Sequence, residues 1–343
     1  MKGYVDLPEE RRRLICEQVA ARTGLFAASV EKDFWVVWTL GKLFTLPGRG
    51  EQFTFKGGTS LSKVWKLIER FSEDIDLVIH RDGLGFGEAN APELAPSGKQ
   101  RKLRLEALKT AAQVCVRSEI LPSLKALFAE SLPEELMWTL EPDPSDADGQ
   151  TLLFAYPTVF RDHPGYVRQI VKIEMGARSD TEPSEIADIE SVIGEMFPGM
   201  LSDGRIPVRA VRPERTFWEK AMLLHEETFR TNERSPRKKY MARHYYDLFQ
   251  LIRRGVADRA ADDPDLFRRI AEHREIYFRY AWVDYRTLKP GSLRLVPMEN
   301  QMADWKADYT GMQREMFYGE VPTFDEVMKA VGEFQQRFNE QHP

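Results

Sequence analysis

Residues 55–77 read FKGGTSLSKVWKLIERFSEDIDL, and the order of residue types in this stretch decides the fold. Phe53 to Lys56 is a short strand that ends on two glycines, Ser60 to Arg70 repeats Leu61, Val64, Trp65 and Ile68 at helical spacing, and Asp74 to His80 alternates as a second strand. Gly57 and Gly58 allow a tight turn and a close approach of backbone to ligand, while Thr59 and Ser60 stand where a helix begins and its free N–H groups can meet a phosphate. Period two then places Asp74 and Asp76 on one face of the following strand. The pattern suits a nucleoside triphosphate held beside divalent metal.

Two carboxylates side by side can share a pair of cations. One metal would bind triphosphate oxygens, and the other would lower the pKa of an attacking hydroxyl for in-line displacement at the α-phosphorus. D-x-D alone is also common in surface loops; here the GG-T-S turn and an intervening helix set it apart. A third carboxylate is sought on a neighbouring strand. Glu174 shares one face of Gln169 to Met175 with Lys172, and is either a metal ligand or base, or a solvated edge glutamate paired with Lys172.

Outward from this core, Pro8 to Arg22 reads as a helix stopped by Gly24, and Ser29 to Phe44 as a strongly apolar second helix. Arg81 to Gly98 reads as a loop, Lys102 to Glu130 as a helix interrupted near Pro122, and Met137 to Glu141, Leu152 to Pro157 and Val167 to Met175 as strands. From Pro213 helical periodicity takes over, so a boundary near Val211 divides a domain of residues 1–210 from a mainly helical one of residues 211–343. Thr323 and Glu326 form a capping-box pair ahead of a terminal helix.

The chain has 343 residues, a formal net charge of −5 and 42% hydrophobic residues, which fits two modest globular domains and argues against coating nucleic acid through overall charge. Cys16 and Cys115 suggest neither a disulfide framework nor a zinc cluster. With no apolar signal core and no stretch near about 18 uninterrupted apolar residues, the expectation is a cytoplasmic protein without a membrane span.

In the C-terminal half, Lys220 lies in PERTFWEKAMLLHEE at the edge of an apolar helical stripe and wants an anionic partner, such as a triphosphate. Asp247 lies among apolar and aromatic residues in ARHYYDLFQL and must be paired or bind a cation; Arg243, one turn earlier, is the obvious neighbour. Between them, Arg230, Arg234, Arg237, Lys238, Lys239 and Arg243 interleave with tyrosines, a composition suited to phosphates and stacked bases or to a solvated loop. His225 and His244 have no zinc-set partners and receive no role.

The ordered run of VEKDFWV (30–36), KGGTSLSK (56–63), RFSEDIDL (70–77), VKIEMGARSD (171–180), RTFWEKAMLLHE (215–226) and RHYYDLFQL (243–251) resembles the AbiEii/AbiGii toxin family of nucleotidyltransferases, within the DNA polymerase β-like superfamily. The resemblance implies an α+β fold, with a polymerase-β-like mixed sheet with helices followed by a helical C-terminal domain that completes the active-site cleft. It implies that Gly57, Gly58, Thr59 and Ser60 hold the triphosphate, Asp74 and Asp76 the metal (Mg²⁺ or Mn²⁺), Lys220 the phosphates, and Asp247 the remaining catalytic position. In some relatives the lysine and the later aspartate take the place of a third strand carboxylate, the position that Glu174 would fill here. Such proteins are toxin halves of bacterial toxin–antitoxin or phage-defence pairs, and some relatives transfer nucleotides to the 3′ end of tRNA. The expected partners are therefore an NTP, a tRNA acceptor contacted through Arg234, Arg237, Lys238, Lys239 and Arg243, and a cognate antitoxin. Ser72, two residues before Asp74, is a candidate regulatory hydroxyl, because relatives are controlled by modification ahead of the aspartates. Nucleotidylation of a small molecule or protein, and a non-catalytic nucleotide-binding role, are the competing readings.

Overall fold

The computed structural model describes residues 2–70, 72, 74–161, 168–201, 204–231, 237–313, 316–317 and 320–341. The chain divides into two compact units, Met1–Val64 with Ser72–Val211, and Trp65–Phe71 with Arg212–Pro343. The division is not a single cut, because seven residues of the opening motif belong with the C-terminal half.

In the first unit, helices α1 (Lys2–Val5), α2 (Glu9–Thr23) and α3 (Ala27–Phe44) precede β1 (Phe53–Lys56), α4 (Gly57–Lys63) and β2 (Ile75–Ile79). Then come α5 (Gly98–Cys115), α6 (Leu121–Ser131), β3 (Thr139–Pro142), β4 (Thr151–Ala155), β5 (Ile170–Gly176), β6 (Ser184–Ile189), α7 (Val192–Met196) and β7 (Ile206–Val211). The strands form a mixed sheet ordered β3-β4-β5-β2-β1-β7-β6, with β2 parallel to β5 and β1 parallel to β7. The mixed α/β expectation holds. Val167, placed in a strand from sequence, lies outside the described residues.

The apolar helix α3 anchors this unit. Trp35 stacks on Tyr156 at 5.7 Å, Trp38 stacks on Phe154 at 5.8 Å, and Phe128 of α6 meets Trp38 edge-on at 4.7 Å. Its buried charges are all tied down. Glu31 accepts from the Thr158 hydroxyl at 2.6 Å and the Val159 N–H at 2.9 Å, and burial pushes its carboxyl up to about 6. Lys32 donates to the Arg168 carbonyl at 2.8 Å, and Asp33 pairs with Lys63 of α4 while accepting from the Val192 N–H at 2.8 Å. Of the VEKDFWV charges, Asp33 thus braces α4 through Lys63.

Three sequence expectations change. The helix read from Ser60 to Arg70 begins at Gly57 and stops at Lys63; Lys66 takes a left-handed φ of 53°, and Ile68 and Arg70 are buried with the second unit. Tertiary burial overrides the helical period there. The helix read from Lys102 to Glu130 is α5 and α6 joined by a π-helical turn, Val116–Ile120, just before Pro122, which has no N–H to bond back along the helix. Strands β6 and β7 escaped notice because Pro207 and the charged Glu185, Asp188 and Arg209 blur their alternation.

The second unit contains α8 (Pro213–Glu227), α9 (Arg243–Arg253), α10 (Val256–Ala261), α11 (Pro264–Tyr277), α12 (Glu299–Gln313) and α13 (Phe324–Gln341). Trp218 of α8 is fully buried against Phe267, Phe334 and Phe338, and donates its indole N–H to the Ala260 carbonyl at 3.0 Å. The capping box forms as read: Thr323 N–H donates to Glu326 at 2.7 Å, and Glu326 N–H to the Thr323 hydroxyl at 3.2 Å. Among the described residues no helix is long and apolar enough to cross a membrane.

Candidate active site

Strand register builds the site of the first unit. Lys56 of β1 stands opposite Asp76 of β2, Asp76 opposite Glu174 of β5, and Glu174 opposite Thr151 of β4. Directly opposed residues on neighbouring strands project to one face, so Glu174, Asp76 and Lys56 form a row with Asp74 just ahead of β2. Burial first, then the charges of Glu174 and Asp74, push the Asp76 carboxyl up to about 7, against the opposing pull of Lys56. Lys172 pairs with Glu174; burial works to lower its pKa, but Glu174 and Asp74 outweigh it and hold the ammonium above its ordinary value. Lys56 also donates to the Ser179 hydroxyl at 2.9 Å.

The glycine turn is shaped by that row. Gly57 has φ +82°, and a Cβ built on it would lie 2.1 Å from Asp76 Oδ2, so only glycine fits both the backbone and the carboxylate. The N-terminus of α4 has no side-chain cap, leaving its first N–H groups to an anion. Ser60 is fully buried and donates its hydroxyl to the Gly57 carbonyl at 3.0 Å, closing the turn. The Thr59 and Ser72 hydroxyls lie 3.0 Å apart, which ties the turn to the segment leading into Asp74. Gly57→Ala should lower stability by about 1–3 kcal/mol. By displacing Asp76 it should also cut turnover at least about a hundredfold, measured by thermal melting and by transfer at saturating nucleotide.

In the second unit Asp247 is fully buried and receives two cations. Arg70 Nε donates to Oδ1 at 2.7 Å and its Nη2 to Oδ2 at 2.8 Å, while Lys220 Nζ lies 2.8 Å from Oδ2. The i, i−4 partner suggested by sequence, Arg243, is not the one used. Burial alone would raise the Asp247 carboxyl, but Arg70 and Lys220 together hold it well below the usual range. Lys220 is itself lowered, by burial first and with Arg70 adding to it, although Asp247 opposes. Beside them His244 is kept neutral by burial, Lys220 and Arg243, and its Nδ1 is buried without a partner.

The family model for the nucleotidyl transferase AbiEii toxin of type IV toxin–antitoxin systems matches residues 38–330. The chain belongs to the AbiEii family. It is thus a nucleotidyltransferase and the toxin member of such a pair, which implies an NTP substrate and an antitoxin partner. No curated protein matches the chain significantly. Among solved structures it is similar to MenT4, a nucleotidyltransferase toxin from Mycobacterium tuberculosis H37Rv, at 16% identity and a TM-score of 0.44, over 98% of this chain and 100% of that one. At that similarity no residue role is carried across.

In this AbiEii protein the donor set fits a divalent cation. Asp74, Asp76 and Glu174 repel one another, and a cation relieves that repulsion. Among the described residues no group of three or more His, Cys, Asp or Glu side chains is placed to hold a metal ion by itself. An open set completed by substrate oxygens is how Mg²⁺ is commonly held.

The basic segment needs correction. Arg237 is only 9% exposed; it lies 3.4 Å from Glu227 and sits over the Trp305 ring at 3.7 Å, so it is an internal brace. Arg234 lies outside the described residues. Lys238 and Lys239 are exposed and Arg243 is half-buried. Sequence reading missed Lys56 and Arg70. Lys56 was legible as the residue entering the glycine turn opposite the D-x-D strand, whereas nothing local announces that Arg70 answers Asp247.

Proposed function

We propose that this toxin uses Mg²⁺ or Mn²⁺ to transfer a nucleoside monophosphate from an NTP to the 3′ end of tRNA. The crowded row of Asp76, Glu174 and Asp74 carries the reading. A divalent cation bound there would stabilise phosphoryl charge and lower the pKa of an attacking hydroxyl. The N–H groups at the start of α4 bind phosphate oxygens, and Gly57 lets Asp76 stand against the turn. Asp247 orients Lys220 and Arg70, fixing two cations whose role is phosphate binding. Exposed Lys238 and Lys239, with Arg243, favour a polyanionic acceptor over a small molecule.

The test incubates the full chain and total RNA with each of the four labelled NTPs, with Mg²⁺, Mn²⁺ or chelator. Label should enter tRNA and vanish with chelator; no label in RNA under any nucleotide would overturn the acceptor. Control through Ser72 belongs to the same proposal, because a phosphate there would break the contact with Thr59 and add about −1.5 to −2 charges beside the carboxylates. Ser72→Glu should lose transfer while melting like the parent. Full activity in a folded variant would remove Ser72 from the scheme.

A further inference from the structure

Helix α5 lies outside every site described above, and its charge is unusual for a chain of net charge −5. Within it Lys99, Arg101, Lys102, Arg104 and Lys109 face a single acid, Glu106. Arg104 is occupied by the Ala91 carbonyl at 2.8 Å, and Lys109 by Asp148. Lys99, Arg101 and Lys102, within one turn, make no ion pair or side-chain hydrogen bond among the described residues. Arg101 Nε is buried without an acceptor. Other cations of the first unit have partners of their own, carboxylates for Arg49 (Glu119) and Arg81 (Glu93), a carbonyl for Lys32 (Arg168) and a hydroxyl for Lys42 (Ser131).

This helix leads to the catalytic strands. Gln150 donates to the Lys109 carbonyl at 3.3 Å and accepts through its own carbonyl from the Met175 N–H at 3.0 Å; the next residue, Thr151, stands opposite Glu174. Arg178 and Lys109 share Asp148. From half-buried Lys109, whose carbonyl meets Gln150, the helix runs back about 15 Å to the exposed Lys102 and Lys99.

We propose that α5 is a track for the RNA backbone, with the exposed Lys99 and Lys102, which share a helix face at i, i+3, as its phosphate contacts. This rests on the RNA-acceptor reading above and adds to it a binding surface in the catalytic unit. An acidic protein is the other polyanion such a face would attract. Continuity with Glu174 favours the acceptor, which must reach the reacting phosphorus.

The experiment compares the full-length protein with Lys99→Gln/Lys102→Gln, and with Lys99→Arg/Lys102→Arg as the charge-preserving control. Transfer to total tRNA and tRNA binding are followed from about 50 to 200 mM salt. The glutamine pair should raise KM for tRNA about tenfold and flatten the log–log salt dependence by about 1.5, given a slope near −0.7 to −0.9 per phosphate. KM for NTP, kcat and Tm should not change, and the arginine pair should behave like the parent. If the parent labels tRNA and the glutamine pair keeps the same KM and salt slope, the track is wrong while the acceptor reading stands. If the parent labels no RNA, the acceptor reading fails and takes the track with it. Unchanged tRNA kinetics with lost binding to polyglutamate, used as an acidic-protein probe, would reassign the face to a protein partner.

Discussion

Asp76→Asn should abolish nucleotidyl transfer, by at least about a thousandfold or ~4 kcal/mol of transition-state stabilisation, and should at the same time stabilise the metal-free protein above neutral pH. The second half follows from the carboxylate row. Asp76 sits beside Glu174 and Asp74, and its carboxyl is raised to about 7. A carboxyl raised on folding contributes stability that is fully present below its ordinary unfolded value and is lost as pH rises through about 7. Asparagine does not ionise, so it escapes that loss. Melting curves of parent and variant should coincide near pH 4 and separate toward pH 8, with the variant higher by about 1–2 kcal/mol, or roughly 3 °C or more. Added Mg²⁺ should raise the parent Tm and barely move the variant. An Asn variant that melts lower than the parent at pH 8 without metal would show that the carboxylates are not crowded as described.

Asp247→Ala should be the most destabilising single change in the second unit, at about 3–5 kcal/mol. Removal of the carboxylate leaves Arg70 and Lys220, 3% and 7% exposed, as buried cations facing each other. The expected fall in Tm is about 10 °C. Because the Asp247 carboxyl is held below its ordinary value, its stabilisation is present above that value and is lost only as pH falls through the lower folded one. The penalty should therefore persist across neutral pH and shrink only in acid. Lys220→Met/Asp247→Leu gives the separating measurement: removing one cation with the carboxylate should cost less than the two single changes summed, by at least about 1 kcal/mol. Strict additivity would mean that the pair is not coupled.

The sequence announced the first of these clusters far better than the second. Glycine at the end of a strand and aspartates at period two are local signals, and strand pairing then brought Glu174 and Lys56 into the row that Asp76 had marked. Lys220 and Asp247 were recognisable as buried charges, but their mutual pairing and the addition of Arg70 depend on contacts made across the chain. The same blindness produced the overlong helix. Leu61, Val64, Trp65 and Ile68 do repeat at helical spacing, yet the burial that organises the last two belongs to a different unit. Arg237 was misread for a related reason, since Trp305 and Glu227, which hold it, lie in separate helices.

The detour of Trp65–Phe71 into the second unit sets a timetable for synthesis. Arg70 and Asp247 lie 177 residues apart, and at roughly 5–20 residues per second the ribosome needs on the order of ten to thirty-five seconds to make that interval. Through it the nascent chain carries Arg70 without Asp247, a few residues ahead of the strand that bears the carboxylate row. A chain stopped at Val211 would contain every strand of the sheet and still lack the carboxylate that Arg70 binds. A toxin laid out in this order withholds its finished form until translation has passed Asp247.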